Sequence, residues 1–201
     1  NETIRLSRLV QDLLDLSQLD LNPSQRLRLT SIDLVKLIHA AWQSLEPLAR
    51  EKQVQFHYSG LESVIIRADE ARMHRVLLNL LDNSLKYSPN QSVIRIETAL
   101  QEQAKPRIQV DLIDMGQGFP EEAIAHLFDR FYRADPSRAR PIQGREAGQL
   151  TSGSGLGLAI VRQIIEAHQG TVRAQNHPDG GAWLQLVLPC ELTTQAHPRN
   201  L

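Results

Sequence analysis

One segment, Asp69 to Tyr87, restricts what this chain can fold into more than any other, because its apolar and its polar residues are both ordered. Met73, Val76, Leu77, Leu80, Leu81 and Leu85 recur at helical spacing, which predicts an amphipathic helix that begins at Asp69 and buries this stripe. Asn79, Asn83, Lys86 and Tyr87 recur at the same spacing on another face. A solvated helix face ordinarily carries Glu and Lys, and asparagine is a poor helix former. The two carboxamide oxygens suit a hard cation such as Mg2+, the lysine suits a phosphate, and the tyrosine ring suits a flat base. Taken alone, the helix leaves a second reading open, in which the asparagines bond to a neighbouring loop.

The rest of the chain must supply the layer against which that stripe packs. At 201 residues, 41% apolar, it is long enough for one sizeable core and a fragment of a second. A net charge of −1 argues against nucleic acid as the main partner, since phosphate-backbone binders carry an excess of Lys and Arg. The single cysteine, Cys190, cannot form an internal disulfide and suits a reducing compartment. No run approaches the roughly 20 apolar residues of a membrane-spanning helix. The start at Asn1 rather than Met is expected of an excised or processed piece.

Along the chain, Asn1 to Leu21 carries Ile4, Leu9, Leu13, Leu16 and Leu19 on one face, an amphipathic helix that reads as a seam to a partner helix or as a packing helix. Asn22-Pro23 ends it and marks a boundary. Strands are expected at Gln25 to Ile32, Val54 to Tyr58, Val64 to Arg67, Ser92 to Leu100, Arg107 to Asp114, Thr171 to Asn176 and Ala182 to Leu188. Helices are expected from a cap at Ser31 or Asp33 to about Lys52, from Pro120 to Leu127, and from Gly155 to His168. Arg133 to Gly153 has no periodicity and reads as a loop long enough to act as a lid. Residues 191–201 read as a polar tail. The elements mix without strict alternation, so the expected fold is α+β: a two-layer sandwich of one mixed or antiparallel sheet with helices on one face.

Two further constellations carry chemistry. Asp114-Met-Gly116-Gln-Gly118 follows a strand directly, where a carboxylate can accept from an amino group while glycine backbone approaches a flat ligand; a plain strand-to-helix turn is the alternative. Gly153-Ser-Gly155-Leu156-Gly157-Leu158 opens a helix, where exposed N–H groups and the helix dipole favour phosphate; a flexible hinge is the alternative. The second is neither a dinucleotide fingerprint nor a P-loop. Between Asp129 and Glu146 lie Arg130, Arg133, Arg138, Arg140 and Arg145, a local excess of positive charge available to a polyphosphate.

The order of these motifs is more specific than any one of them. Asn79-Leu-Leu-Asp-Asn83-Ser-Leu-Lys86-Tyr87 resembles the N box of sensor histidine kinases, and Asp114-x-Gly116-x-Gly118 their G1 box. Phe128-Asp-Arg-Phe131-Tyr132-Arg133 resembles the F box, and Gly153-x-Gly155-Leu156-Gly157-Leu158 the G2 box. Residues 1 to 22 are similar to the closing part of the second dimerisation helix of these kinases. The resemblance implies the Bergerat ATP-binding fold over residues 23–190, with an ATP lid over about 129–152. By position it implies that Asn83, assisted by Asn79, holds Mg2+, that Lys86 meets phosphate and that Tyr87 packs on the nucleotide. Asp114 would accept from the adenine amino group, Gly116 and Gly118 would shape the base pocket, and Gly153 to Leu158 would wrap the triphosphate; Phe128 and Arg133 complete the nucleotide-binding set.

The family's ATP-hydrolysing members place a glutamate four residues before the magnesium asparagine, where this chain has Asn79. An amide cannot take a proton at neutral pH, which points to phosphoryl transfer rather than water attack. The acceptor histidine of the family lies in a His-Glu/Asp-x-x-x-Pro context that none of the seven histidines shares, so the acceptor is expected outside the chain. His168 reads instead as a helix-ending residue before Gly170. The implied partners are the kinase's own dimerisation domain, a response regulator and a second copy of the parent, with no nucleic acid, no membrane contact by this fragment, and a cytoplasmic location. A Bergerat-type ATPase, an anti-sigma-like serine kinase or a non-catalytic nucleotide-binding module are the alternatives. Two departures stand out: Gly180-Gly181-Ala182 replaces a Gly-Thr expected on the phosphate side, and the lid carries an extra segment around Pro141 to Thr151.

Overall fold

The computed structural model describes residues 27–101, 105–133 and 154–191. The expected dimerisation helix, most of the lid including Gly153, and the tail beyond Glu191 lie outside the described residues. The described chain runs β1 (Thr30–Asp33), α1 (Leu34–Glu51), β2 (Gln55–Ser59), β3 (Ile65–Ala68), α2 (Glu70–Tyr87), β4 (Val93–Gln101), β5 (Arg107–Ile113), α3 (Glu121–Ile124), α4 (Gly157–Ala167), β6 (Thr171–Asn176) and β7 (Ala182–Pro189).

The two 18-residue helices, α1 and α2, each start where the sequence provides a cap. Asp33 accepts from the N–H groups of Val35 and Lys36 at the head of α1, and Asp69 from that of Arg72 at the head of α2. Of the two expected caps for α1, Asp33 is the one used. The stripe of α2 is buried as expected: Met73, Val76, Leu77, Leu80, Leu81 and Leu85 are at most 1% exposed. They pack, with α1 and α4 on either side, over a five-stranded sheet of order β2-β4-β5-β7-β6. β2 runs parallel to β4 and every other pair is antiparallel, which makes the sheet mixed. Alternation directs Ile94 and Ile96, Ile108, Val110 and Leu112, and Leu184, Leu186 and Leu188 into the core.

The expected architecture holds, with three local corrections. β1 and β3 do not join the main sheet but pair with each other as a two-stranded antiparallel ribbon. β1 is followed at once by α1, with Asp33 both ending the strand and capping the helix, so it must lie near the helix layer. The helix expected over 120–127 stops at Ile124, because the N–H groups of Ala123, His126 and Asp129 each bond three residues back and the chain continues as successive tight turns. Glu191 is not loose tail: its N–H donates to Ile65 O at 2.9 Å, tying the end of β7 to β3.

Candidate functional site

The second half of α2 forms the spine of the site, and each predicted motif meets it at a different height. At the first level are Asn79 and Asn83, facing the start of α4. Asn79 Nδ2 donates to Gly157 O at 3.3 Å. A Cβ built on Gly157 would lie 3.9 Å from Asn79 Cγ and 4.0 Å from Asn83 Nδ2, so the glycine brings the helix start close to both carboxamides. The loop-bonding alternative is thus realised by one atom of Asn79, and its carbonyl oxygen is not the atom spent. Two carboxamide oxygens beside a helix N-terminus are hard donors that fit Mg2+ in company with phosphate oxygens. No group of three His, Cys, Asp or Glu side chains that could hold a metal by itself occurs among the described residues.

α4 begins at Gly157, two residues later than expected, because Gly155 has φ +71° and cannot be helical. A side chain there would press on the backbone of Phe131 and Tyr132, 2.8 and 2.9 Å away, so the glycine allows the chain before α4 to lie directly against these two residues. Leu156 is fully buried in the core and Leu158 is half-buried against it, so only their backbone can serve a phosphate. Phe128 packs against the core, whereas Phe131 is 60% exposed and Arg133 is exposed.

At the next level up the spine, Ser84 and Tyr87 meet the Asp114 loop. Asp114 is buried, and its Oδ1 accepts from the N–H of Gly116 at 2.8 Å and of Ala182 at 3.1 Å. Burial raises its pKa, opposed by those two backbone donors and by the neighbouring Ser84 hydroxyl. Gly116 lies against Tyr87, since a Cβ there would come 3.0 Å from Tyr87 O. Gly118 lies against Asn176, whose carboxamide accepts from Phe119 N–H at 2.6 Å and donates to Phe119 O at 2.9 Å. Lys86 holds its Nζ 5.2 Å from the centre of the Tyr87 ring, a cation–π pair at the C-terminal end of α2. Lys52, at the end of α1, donates to Leu85 O, Lys86 O and Ser88 O, covering α2's terminal carbonyls.

The structure corrects the expectation for Gly180-Gly181-Ala182. This segment stands at Asp114, at the opposite end of the spine from Gly157: Asp114 N–H donates to Ala182 O at 3.0 Å, and a Cβ on Gly181, at φ +90°, would overlap Asp114 O. Sequence reasoning also missed Ser84, Asn176 and Lys52. Asn176 was legible only as a strand end, and nothing local marks Lys52 as a cap for a helix 33 residues away. An open cleft of about 450 Å³ between α1 and β2, lined by Val35, Lys36, His39, Tyr58 and Glu62 among others, shares no residue with this site.

Residues 68–192 match the family model described as histidine kinase-, DNA gyrase B- and HSP90-like ATPase. The chain belongs to that ATPase family. Its relatives within that family include sensor proteins and sensor histidine kinases. The chain is 47% identical to the sensor protein SphS of Synechococcus elongatus over 94% of this chain and 45% of that protein. It is 32% identical to the sensor histidine kinase YclK of Bacillus subtilis over 94% of this chain and 37% of that one. It therefore spans less than half the length of these curated relatives. Among solved structures, a mycobacterial sensor histidine kinase, MprB, superposes with a TM-score of 0.64 at 26% identity, covering 81% of this chain and 98% of that chain. Full-length ShkA in complex with AMPPNP superposes with a TM-score of 0.72 at 26% identity, covering 92% of this chain and 36% of that chain. This member of the family is an ATP-binding catalytic domain of the sensor histidine kinase type.

Proposed function

We propose that this domain binds Mg2+-ATP along α2 and transfers the γ-phosphoryl group to a histidine on a dimerisation domain outside the described residues, for onward transfer to a response regulator. The observation that carries this is the single row formed by Asn79 and Asn83 at Gly157, then Tyr87 at Gly116 and Asp114 at Ala182. Asp114 accepts from the adenine amino group, Tyr87 covers the base, and Gly116 and Gly118 admit it. The α4 N-terminus, Gly153 to Leu158 and Lys86 receive the phosphates, with Phe128 and Arg133 at the lid stem. Asn83 and Asn79 would hold Mg2+, which supplies charge neutralisation between the phosphate oxygens. The bond between γ-phosphorus and the β-bridging oxygen breaks as a phosphorus–nitrogen bond forms to imidazole, leaving ADP.

Asn79 stands where the hydrolytic relatives have a general base, and an amide does not take the proton of a water molecule. That favours transfer over hydrolysis. Residues 1–22 would then be the end of a dimerisation helix, residues 23–190 the catalytic domain and the parent a homodimer. No helix among the described residues is long and apolar enough to cross a membrane, and the reading places the domain in the cytoplasm. The test mixes this chain with a separate acceptor domain of the same kinase and γ-labelled Mg2+-ATP. Acid-labile label on the acceptor histidine is expected. Absence of label despite measured nucleotide binding contradicts the proposal, and steady phosphate release without an acceptor favours an ATPase.

A further inference from the structure

Ser84 is the residue of the spine that the proposed roles leave unused. It is 1% exposed, in the middle of α2, and its hydroxyl makes no hydrogen bond within the protein. A serine in a helix interior usually bonds back to the carbonyl four residues earlier, and this one does not. Alanine would be a better helix former and would leave no orphaned hydroxyl, so the fold alone gives no reason for serine. The side chain lies beside the Asp114 carboxyl. Both backbone donors to that carboxyl, Gly116 and Ala182, use Oδ1.

Ala182 approaches the same carboxyl from the opposite layer. It opens β7 on the alternation that sends Leu184, Leu186 and Leu188 toward the helices, so its methyl group faces the layer that holds Ser84. A threonine at 182, as in the Gly-Thr pattern the resemblance leads one to expect, would bring a hydroxyl to the Asp114 carboxyl from the strand. This chain has a methyl on the strand and a hydroxyl on the helix.

We propose that Ser84 is a base-recognition residue, whose hydroxyl joins Asp114 in bonding the amino edge of a 6-aminopurine, directly or through one ordered water, in place of a hydroxyl on β7. A buried polar site with a carboxylate and a hydroxyl side by side is the setting in which a bridging water or a ligand group satisfies both. The inference rests on Asp114 as the adenine acceptor, and the test separates the two.

Titration calorimetry with adenosine and with Mg2+-ATP is run on wild type, Ser84→Ala, Asp114→Asn and the double variant Ser84→Ala/Ala182→Thr, each checked by thermal melting. Ser84→Ala is expected to weaken both ligands alike by roughly 5- to 10-fold, the loss of one hydrogen bond, with the melting temperature unchanged or raised. The double variant is expected to recover most of the affinity; Ser84→Ala/Ala182→Ser serves the same purpose with less bulk. Affinity of Ser84→Ala within twofold of wild type, while Asp114→Asn loses binding, overturns the role of Ser84 and leaves Asp114 standing. Weakening that neither double variant repairs overturns the exchange of one hydroxyl for another. Adenosine binding that Asp114→Asn leaves unchanged removes the base reading itself, and this inference with it.

Discussion

Asp114 pairs a functional need with a cost to the fold. Burial raises its pKa from the ordinary carboxylate value, against the opposing hydrogen bonds of Gly116 and Ala182 and the neighbouring Ser84 hydroxyl. A raised folded-state pKa means that the native state binds the proton more tightly than the unfolded chain does. The carboxylate therefore opposes folding at neutral pH, and that opposition fades as pH falls through its folded pKa toward the unfolded value. An asparagine keeps an oxygen for the Gly116 and Ala182 N–H groups while discarding the charge. Asp114→Asn is expected to melt at pH 7 at the wild-type temperature or a few degrees higher, at roughly 2–4 °C per kcal/mol. It should also lose adenosine affinity by roughly tenfold or more, since bonds to a charged group contribute about 1.5–3 kcal/mol. Melting curves and titrations read the two effects separately. A large fall in melting temperature would show that the charge itself holds the loop.

At the scale of elements, the site depends on fastening both ends of α2. Lys52 covers its last carbonyls, and at the other end the buried His168 joins it to α4. His168 Nε2 accepts from Asp69 N–H at 3.0 Å while Nδ1 donates to Ile164 O at 2.7 Å, an arrangement only the neutral ring can make. Burial lowers its pKa, with the nearby Arg72 adding to that and Ile164 and Asp69 opposing. A histidine pKa below its unfolded value gives stability that is complete above about pH 6.5 and is lost as pH falls through that value, because the unfolded chain then takes up the proton. Stability is expected to decline between about pH 7 and pH 5, and His168→Gln should flatten that decline at a cost of about 1–2 kcal/mol at neutral pH. Urea unfolding across this range measures both, and an unchanged slope in the variant would assign the decline to other groups. The sequence marks His168 as a helix end, and it is the C-cap of α4, with Gln169 rather than Gly170 in the left-handed turn. Its bond to Asp69 spans 99 residues and leaves no local trace.

For the whole molecule, the fold was legible where periodicity and capping agree. α2 spans the predicted residues because its stripe and its Asp69 cap point the same way. The separate β1-β3 ribbon was not legible, because strand patterning says which face is buried but not which strand is the neighbour. Asn79, Asn83 and Asp114 could be found because each departs from what its element ordinarily carries. Ser84 could not, since a serine in a buried helix stripe has no spacing of its own and acquires meaning only beside Asp114. Gly181 and Ala182 were misplaced because the arrival of β7 next to β5 is a property of the sheet, not of the loop. The net charge of −1 likewise averages away the arginines of residues 130–145.

The account rests on α2 carrying a phosphate end at Asn83 and a base end at Asp114. Titration of wild type and Asn83→Ala with Mg2+-ATP and with adenosine measures this most directly. Asn83→Ala is expected to weaken Mg2+-ATP by roughly tenfold or more, about 1.4 kcal/mol, while adenosine affinity stays within about twofold of wild type. Equal losses for the two ligands, or no loss for either, would contradict the assignment of the phosphate end.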